Sequence, residues 1–384
     1  MRKKICMILR RPWEYFLKDL RVIKEAKSLS ELYDVSIFIF DYNMQGKREY
    51  DKRIEVRIVK LNKNLDIFPL SIPNYFFTTL PRVLWYDADV FHAHDFETLP
   101  IAFIAAKMKR KKLVYDSHEY FFEQFHFKEK LLLKITKPFF MFLEGIFSKY
   151  ADAVITVNES IADELKRIYG LEKVHVIRNV SEIRNVKNKK LFHKEFNLPA
   201  DKKIVLYHGG IMEHRGIEEL IMSMKFLPDN IILVIMGYGP LESKIRKIIS
   251  KQQLENRVYV KNAVPREKLI DYVSSADIGV IPSQSVGLSL YYSTPNKMYE
   301  CISGGIPFAA SNFPEYRKMA IDDDMGITFD EKNPKSIADA IVKILDPKTY
   351  QRKKRNIMKL RKEKYNWEKE KIKLIEIYKE ILSD

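Results

Sequence analysis

Two α/β domains, each a doubly wound parallel sheet, are predicted from the alternation of short apolar or β-branched runs with longer helical patterns. The series stops near the middle of the 384 residues and then restarts. That length is about two and a half times the ~150 residues of a typical domain. With 46% hydrophobic residues, 12% aromatics and only 13 Gly and 16 Pro, the chain can bury large cores, which excludes disorder and low complexity.

In order, the first half carries expected strands at 3–9, 35–40, 56–61, 89–94, 112–117, 153–158 and 174–179, with helical patterns between most of them. Residues 181–203 are polar, Lys-rich and without sustained apolar period, and read as a linker. The second series has strands at 203–209, 231–237, 257–263, 278–283 and 307–312. One phrase opens a strand in both halves, Ala151-Asp152-Ala153 and Ala276-Asp277-Ile278, as two related Rossmann-like units would show. The tail, 348–384, has a helical stripe of Ile357, Leu360, Trp367, Ile372, Leu374, Ile375, Tyr378 and Ile381 beneath a basic face that reads as solvated.

The charge balance, 67 Lys+Arg against 51 Asp+Glu for a net +16, favours an anionic partner: a phosphorylated ligand, an acidic lipid surface or nucleic acid. No helix-turn-helix, zinc finger or aromatic RNA-binding signature accompanies it, so nucleic acid is the weaker choice. Only Cys6 and Cys301 occur, against a disulfide framework and in keeping with a reducing compartment. The run ICMIL at 5–9 is too short for a signal peptide, and nothing approaches ~18 uninterrupted apolar residues. A cytoplasmic protein is expected, at most lying on the inner face of the membrane. Residues 128–150, where Lys128, Lys130, Lys134 and Lys137 mix with large apolar side chains, read as a helix that packs on the first sheet or lies on a membrane surface.

Ligands of open parallel sheets bind beyond the carboxyl ends of strands, and four such places stand out. In Phe91-His92-Ala93-His94-Asp95 the two histidines share a strand face. As an H-x-H metal pair they lack completing ligands, so a polar strand end is the better reading and no metal is expected. Tyr115-Asp116-Ser117-His118-Glu119 breaks an apolar strand into four polar side chains. His118 is placed to polarise a ligand or exchange a proton with it, while Asp116 or Ser117 as a helix cap is the alternative.

The third place, Tyr207-His208-Gly209-Gly210 followed by Arg215-Gly216 and a helix, suits a diphosphate: Gly209 and Gly210 let backbone amides approach, and Arg215 offers a forked donor. Gly237-Tyr238-Gly239-Pro240 after the next strand is a weaker version. The fourth is Thr294-Pro295-Asn296-Lys297-Met298-Tyr299-Glu300, read as a helix capped by Thr294, begun by Pro295 and ended by Gly304-Gly305. Its Glu300 needs a partner, either ribose hydroxyls or Lys297 one turn away. Asp87-Ala88-Asp89 has a D-x-D spacing, but Asp89 opens a strand and so lies at the wrong end of the sheet; Asp322-Asp323-Asp324 reads as a solvated turn.

Taken together, the HAHD strand end, YDSHE, ITVNESIADEL, the GG-x(4)-RG loop, MGYGP and PNKMYECISGGIPFAASNFPE resemble glycosyltransferase family 4 along nearly the whole chain. The resemblance implies a GT-B fold of two facing Rossmann-like domains, residues 1–185 for the acceptor and 186–365 for a nucleotide-sugar donor, with the final helix, 366–384, crossing back to the first. It implies retaining transfer from a UDP- or GDP-sugar without a metal or other cofactor, to a saccharide or lipid-linked acceptor. By position, Arg215 falls at the donor diphosphate, Glu300 at the ribose, His118 near the transferred sugar, and Asn296 and Lys297 by the phosphates or sugar. His94, Asp95 and Glu119 fall on the acceptor side. Two positions depart from the family pattern: Tyr292 stands where a glutamate usually contacts the donor sugar, and Gly210 where a second basic residue is common. A sugar-nucleotide epimerase of the same architecture and a basic nucleic-acid-binding protein are the competing functions.

Overall fold

The computed structural model describes residues 2–67, 70–123, 131–181, 183 and 188–383. They divide into two units, Met1–Arg178 with Glu370–Asp384, and Asn179–Lys369. In the first, the strands are β1 (Lys4–Pro12), β2 (Asp34–Asp41), β3 (Gly46–Asp51), β4 (Ile54–Lys60), β5 (Val90–His94), β6 (Lys112–Ser117), β7 (Ala153–Thr156) and β8 (His175–Val176). They lie in the order β3-β4-β2-β1-β5-β6-β7-β8. All pairings are parallel except β3 with β4. The sequence gives no sign of β3 because Gly46–Asp51 is a polar, largely exposed edge strand without an apolar period.

The second unit holds β9 (Lys203–His208), β10 (Ile231–Met236), β11 (Val258–Lys261), β12 (Ile278–Ile281), β13 (Phe308–Ser311) and β14 (Gly326–Phe329), in the order β11-β10-β9-β12-β13-β14, all parallel. Its strands are apolar on both faces: every residue of β10 is buried. The helix Pro334–Leu345 seats Ile337, Ile341 and Ile344 in the core with Val205, Leu233 and Ile235. Each sheet reverses its winding once, beside β1 and β5 in the first and beside β9 and β12 in the second. Ligands of this architecture collect at the carboxyl ends flanking such a reversal.

The repeated Ala-Asp phrase has a structural basis that also accounts for Asp89. Asp89, Asp152 and Asp277 each use a carboxylate oxygen to accept the backbone N–H of the first residues of a neighbouring strand, from Lys4, Leu113 and Ile204, at 2.9, 2.8 and 2.8 Å. Their own N–H groups donate back to the carbonyls of the same residues. A reciprocal two-bond clamp therefore closes the amino end of the first sheet twice and of the second sheet once, opposite the carboxyl ends of the strands.

Several expectations need correction. Within the expected linker a short helix, Leu191–Glu195, forms because Phe192 is buried among aromatic rings, edge-on to Tyr272. Asp322-Asp323-Asp324 is more than a solvated turn: Asp324 accepts from Lys353 at 2.9 Å and Arg352 at 3.0 Å, and Asp323 from Lys364 at 2.8 Å. These bonds draw cations of the Pro347–Glu363 helix inward, so its basic face is only partly solvated. The tail's second helix, Trp367–Ser383, buries Leu374, Tyr378 and Ile381 but leaves Ile372 52% exposed. Cys6 and Cys301 are both free and buried. Among the described residues no helix is long and apolar enough to cross a membrane.

Candidate active site

In the first unit, three of the residues singled out from sequence converge where β5 and β6 end. Asp95 takes a left-handed backbone (φ 64°), a conformation that Asp tolerates better than most residues. The turn is fixed by Asp95 N–H donating to Asp116 O at 2.9 Å and by Thr98 Oγ donating to the His94 carbonyl at 2.8 Å. Asp95 Oδ1 in turn accepts the backbone N–H of His118 at 3.0 Å. His118 Nε2 lies 3.0 Å from both His94 Nδ1 and Asp116 Oδ2. Glu119 stays exposed, and its carbonyl accepts from Ser117 Oγ.

Asp116 is the centre of the cluster, and neither it nor Ser117 caps a helix here. The buried Arg21, from the helix Leu20–Ser30, grips its carboxylate with Nε at 2.9 Å and Nη2 at 2.7 Å, and donates Nη1 to Ile177 O at 2.6 Å. Bidentate geometry makes this a strong charge-assisted pair. Burial pushes the Asp116 carboxyl up, but Arg21 and His118 outweigh it and hold it well below the usual range. Glu25, one turn after Arg21 and 3.1 Å from its Nε, is pushed up to about 8 by burial. Donor atoms of Glu25, His92, His94 and Asp116 lie within 4.8 Å of one another, a grouping able to take a cation. The cation present there is the Arg21 guanidinium. His92 stacks on His94 and shares a hydrogen bond with Tyr378 of the last helix at 2.7 Å; burial lowers the pKa of both histidines.

In the second unit, the helix Asn296–Gly304 starts one residue later than its sequence suggests: Pro295, not Thr294, holds the cap position (φ −69°, ψ 143°), and Asn296 opens the first turn. The far end matches expectation, with Gly305 left-handed at φ 71°. The tail's Arg361 donates to the Ser303 carbonyl at this end, a cation favourably set against the helix dipole.

Within the protein, Glu300 takes its hydrogen bond from a residue other than Lys297. His208, at the end of β9, meets Glu300 Oε2 through Nε2 at 2.8 Å. Burial raises the Glu300 carboxyl, but the bond and charge of His208 more than compensate, and its pKa is lowered. Lys297 instead lays its ammonium 3.9 Å from the centre of the Tyr207 ring, a cation–π contact. Gly209 makes room for it: at φ 118°, an added Cβ would stand 2.6 Å from Lys297 Cε. Burial first, and then the Arg215 guanidinium, push the Lys297 pKa down to about 7.

Arg215 is half-buried and, among the described residues, has no hydrogen bond or ion pair with a carboxylate. The Gly210 carbonyl accepts from Tyr207 Oη at 2.6 Å. Gly237 and Gly239 have a packing reason for being glycine, since a Cβ on either would collide with the Gly209 or Ile211 carbonyl. Asn296 is exposed and its Oδ1 accepts from Asn179 at 3.1 Å. Tyr292, half-buried, ends the short helix Leu288–Tyr292 and presents a phenol, not a carboxylate, at this point.

Sequence reasoning passed over Arg21, Glu25 and His208. Arg21 and Glu25 are spaced i, i+4 within an apolar helical pattern, a sign of an inward-facing pair. His208 closes an apolar strand just as His94 does, so the strand-end criterion already pointed to it.

Residues 188–364 match the family of glycosyl transferases group 1, and residues 21–180 match glycosyltransferase family 4. An uncharacterised glycosyltransferase of Methanocaldococcus jannaschii is 24% identical over 380 residues, 91% of each chain. WclY, an O-antigen biosynthesis glycosyltransferase of Escherichia coli, is 24% identical over 232 residues, 60% of this chain and 62% of its own. Sucrose-phosphate synthase of Thermosynechococcus elongatus superposes with a TM-score of 0.81 at 18% identity, covering 100% of both chains. Anabaena HepE, solved with UDP and glucose, gives 0.72 at 14% identity, covering 98% of this chain and 100% of its own. With both halves of the chain matched and the fold shared, this protein belongs to the family 4, group 1 glycosyltransferases and has their GT-B fold.

Proposed function

We propose that this glycosyltransferase moves a hexosyl or N-acetylhexosaminyl group from a UDP- or GDP-sugar to an acceptor hydroxyl, with retention at the anomeric carbon and without a divalent cation. The observation that carries the donor assignment is the pairing of Arg215 with Lys297 beside the amino end of the Asn296–Gly304 helix: two cations close enough for one to depress the pKa of the other. Such a pairing costs free energy unless an anion joins it. A departing nucleoside diphosphate supplies that anion, and fixed cations with helix amides stabilise its growing charge. Glu300, held ionised by His208, is suited to accept ribose hydroxyls. The complex of HepE with UDP supports a uridine donor by analogy.

His94, Asp95 and His118 form the acceptor-side cluster in this reading, and the product belongs to a cell-surface polysaccharide, lipopolysaccharide or glycolipid, as the likeness to an O-antigen enzyme suggests. The reaction is placed in the cytoplasm, at the inner face of the membrane.

The test is calorimetry and thermal shift with UDP and GDP. One of them should bind and raise Tm, and Arg215→Ala or Glu300→Ala should weaken it about tenfold or more, the worth of one charge-assisted contact. Failure of both nucleotides to bind would refute the donor reading, and conversion of a nucleotide sugar with no acceptor present would point to epimerisation instead.

A further inference from the structure

His118 offers a hydrogen bond from either ring nitrogen, and in this structure both nitrogens face a carboxylate. Nε2 is 3.0 Å from Asp116 Oδ2, and Nδ1 is 3.7 Å from Asp95 Oδ2. A neutral imidazole carries one N–H and one lone pair, and with the proton on Nδ1 the lone pair of Nε2 would lie against the Asp116 carboxylate. The imidazolium donates to Asp116 through Nε2 and keeps its charge beside the Asp95 carboxylate as an ion pair at Nδ1. Neither aspartate is free to turn away: Asp116 is gripped through both oxygens by Arg21, and Asp95 is fixed by its left-handed turn and by the His118 amide on its Oδ1.

We propose that Asp116 and Asp95 are positioning residues that hold His118 as a fixed imidazolium, a permanent cation and not a proton acceptor, with Arg21 locking Asp116 in place. The other groups around the ring do not reverse this. Arg21 opposes it as a like charge, and Glu25 on the same helix, raised to about 8 by burial, adds no fixed negative charge near neutrality. His94 and His92 from β5 are kept neutral by burial, and His94 Nδ1 stands 3.0 Å from His118 Nε2 and 3.4 Å from Asp116 Oδ2. Tyr378 reaches only His92. Burial pulls the His118 pKa down, yet Asp95 and Asp116 carry it up to about 9.

The charge state stands on this geometry alone; its use in catalysis rests on the transferase reading. There, a permanent cation steadies negative charge but cannot take the acceptor's hydroxyl proton, so no general-base titration of His118 shapes the rate near neutrality.

The decisive experiment is NMR of the full chain with ring-labelled histidine, titrated from about pH 6 to about pH 9, the His118 signal being assigned by its loss in His118→Asn. In the wild type both ring nitrogens should stay protonated beyond about pH 8, and Asp116→Asn should bring the midpoint back toward ~6.5, a loss of proton affinity of roughly a hundredfold. Asp116→Asn leaves the buried Arg21 short of a counter-charge; if that variant fails to fold, Asp95→Asn, at a partly exposed site, carries the test with a smaller downward shift. Nucleotide release from the donor sugar is the second readout: kcat should be level across neutrality in the wild type and fall with rising pH in the aspartate variants. A wild-type midpoint at or below ~7, or a midpoint unmoved in every variant that folds, would overturn the proposal. Because the titration needs neither donor nor acceptor, a raised midpoint in a protein that transfers no sugar would refute the transferase reading and leave this one standing.

Discussion

At the level of single residues, Lys297 shows how burial and a neighbouring cation reset a side chain's proton affinity. Its ammonium is buried over Tyr207 and repelled by Arg215, which brings its pKa to about 7, against 10.5 for an ordinary lysine. In the proposed donor complex a diphosphate adds negative charge and raises that value, so the complex holds more protons than the free protein above neutrality. Two consequences share one sign: nucleotide affinity falls as pH rises above about 7, and binding near pH 8 takes up a proton. Calorimetry in two buffers of different ionisation enthalpy measures the uptake directly. Lys297→Arg, which stays charged throughout, should abolish it, whereas identical heats in both buffers for the wild type would show that Lys297 is already fully protonated.

Among the elements, the three Ala-Asp clamps explain why a polar residue recurs before apolar strands. Each aspartate joins two neighbouring strands through a closed pair of hydrogen bonds, and removing the carboxylate leaves a partly buried N–H of Leu113 or Ile204 without its partner. Asp152→Ala and Asp277→Ala should each lower stability by about 1–3 kcal/mol in urea unfolding. An equal loss on replacing the exposed Asp163 would show that the clamp itself contributes nothing. The strands and the helix Asn296–Gly304 were legible in the sequence because apolar runs, a proline and a glycine pair mark them locally. That helix starts one residue later than its sequence suggests, since Thr and Pro both suit a helix beginning and only the backbone angles decide between them. Strands β3 and β14 were not legible: one is polar and solvated, and the other, Gly326-Ile327-Thr328-Phe329, opens on glycine and has no run of apolar residues.

For the molecule as a whole, the excess of positive charge is shared between internal and external work. Lys353, Lys364 and Arg352 engage Asp323 and Asp324, and Arg361 engages the end of the site helix, so part of the basic tail is structural. That weakens the case for a tail that binds nucleic acid. The helix Leu131–Lys149 has a different surface, with Ile135, Phe139 and Phe142 each at least 60% exposed along one stripe and Lys134 beside them; Lys128 and Lys130 lie outside the described residues. We propose that this stripe rests on an anionic bilayer, where apolar side chains enter the interface and lysines meet lipid phosphates. Sedimentation with vesicles containing anionic phospholipid should pull down the wild type, and far less of a variant carrying Ile135→Ser, Phe139→Ser and Phe142→Ser. Equal retention of the two, or none of the wild type, would remove the membrane from the account.

The sequence by itself determined the α/β class, the double series of strands and the membership of a transferase family, because period, turn residues and strand-end motifs are local properties of the chain. It also marked His118, Arg215, Lys297 and Glu300. Only the tertiary structure decided what those groups meet: His208 on Glu300, the Tyr207 ring under Lys297, and Arg21 behind Asp116, 95 positions away. Charge states at the site depend on burial and on which ions lie a few ångströms off, and both are set by how distant strands and helices pack.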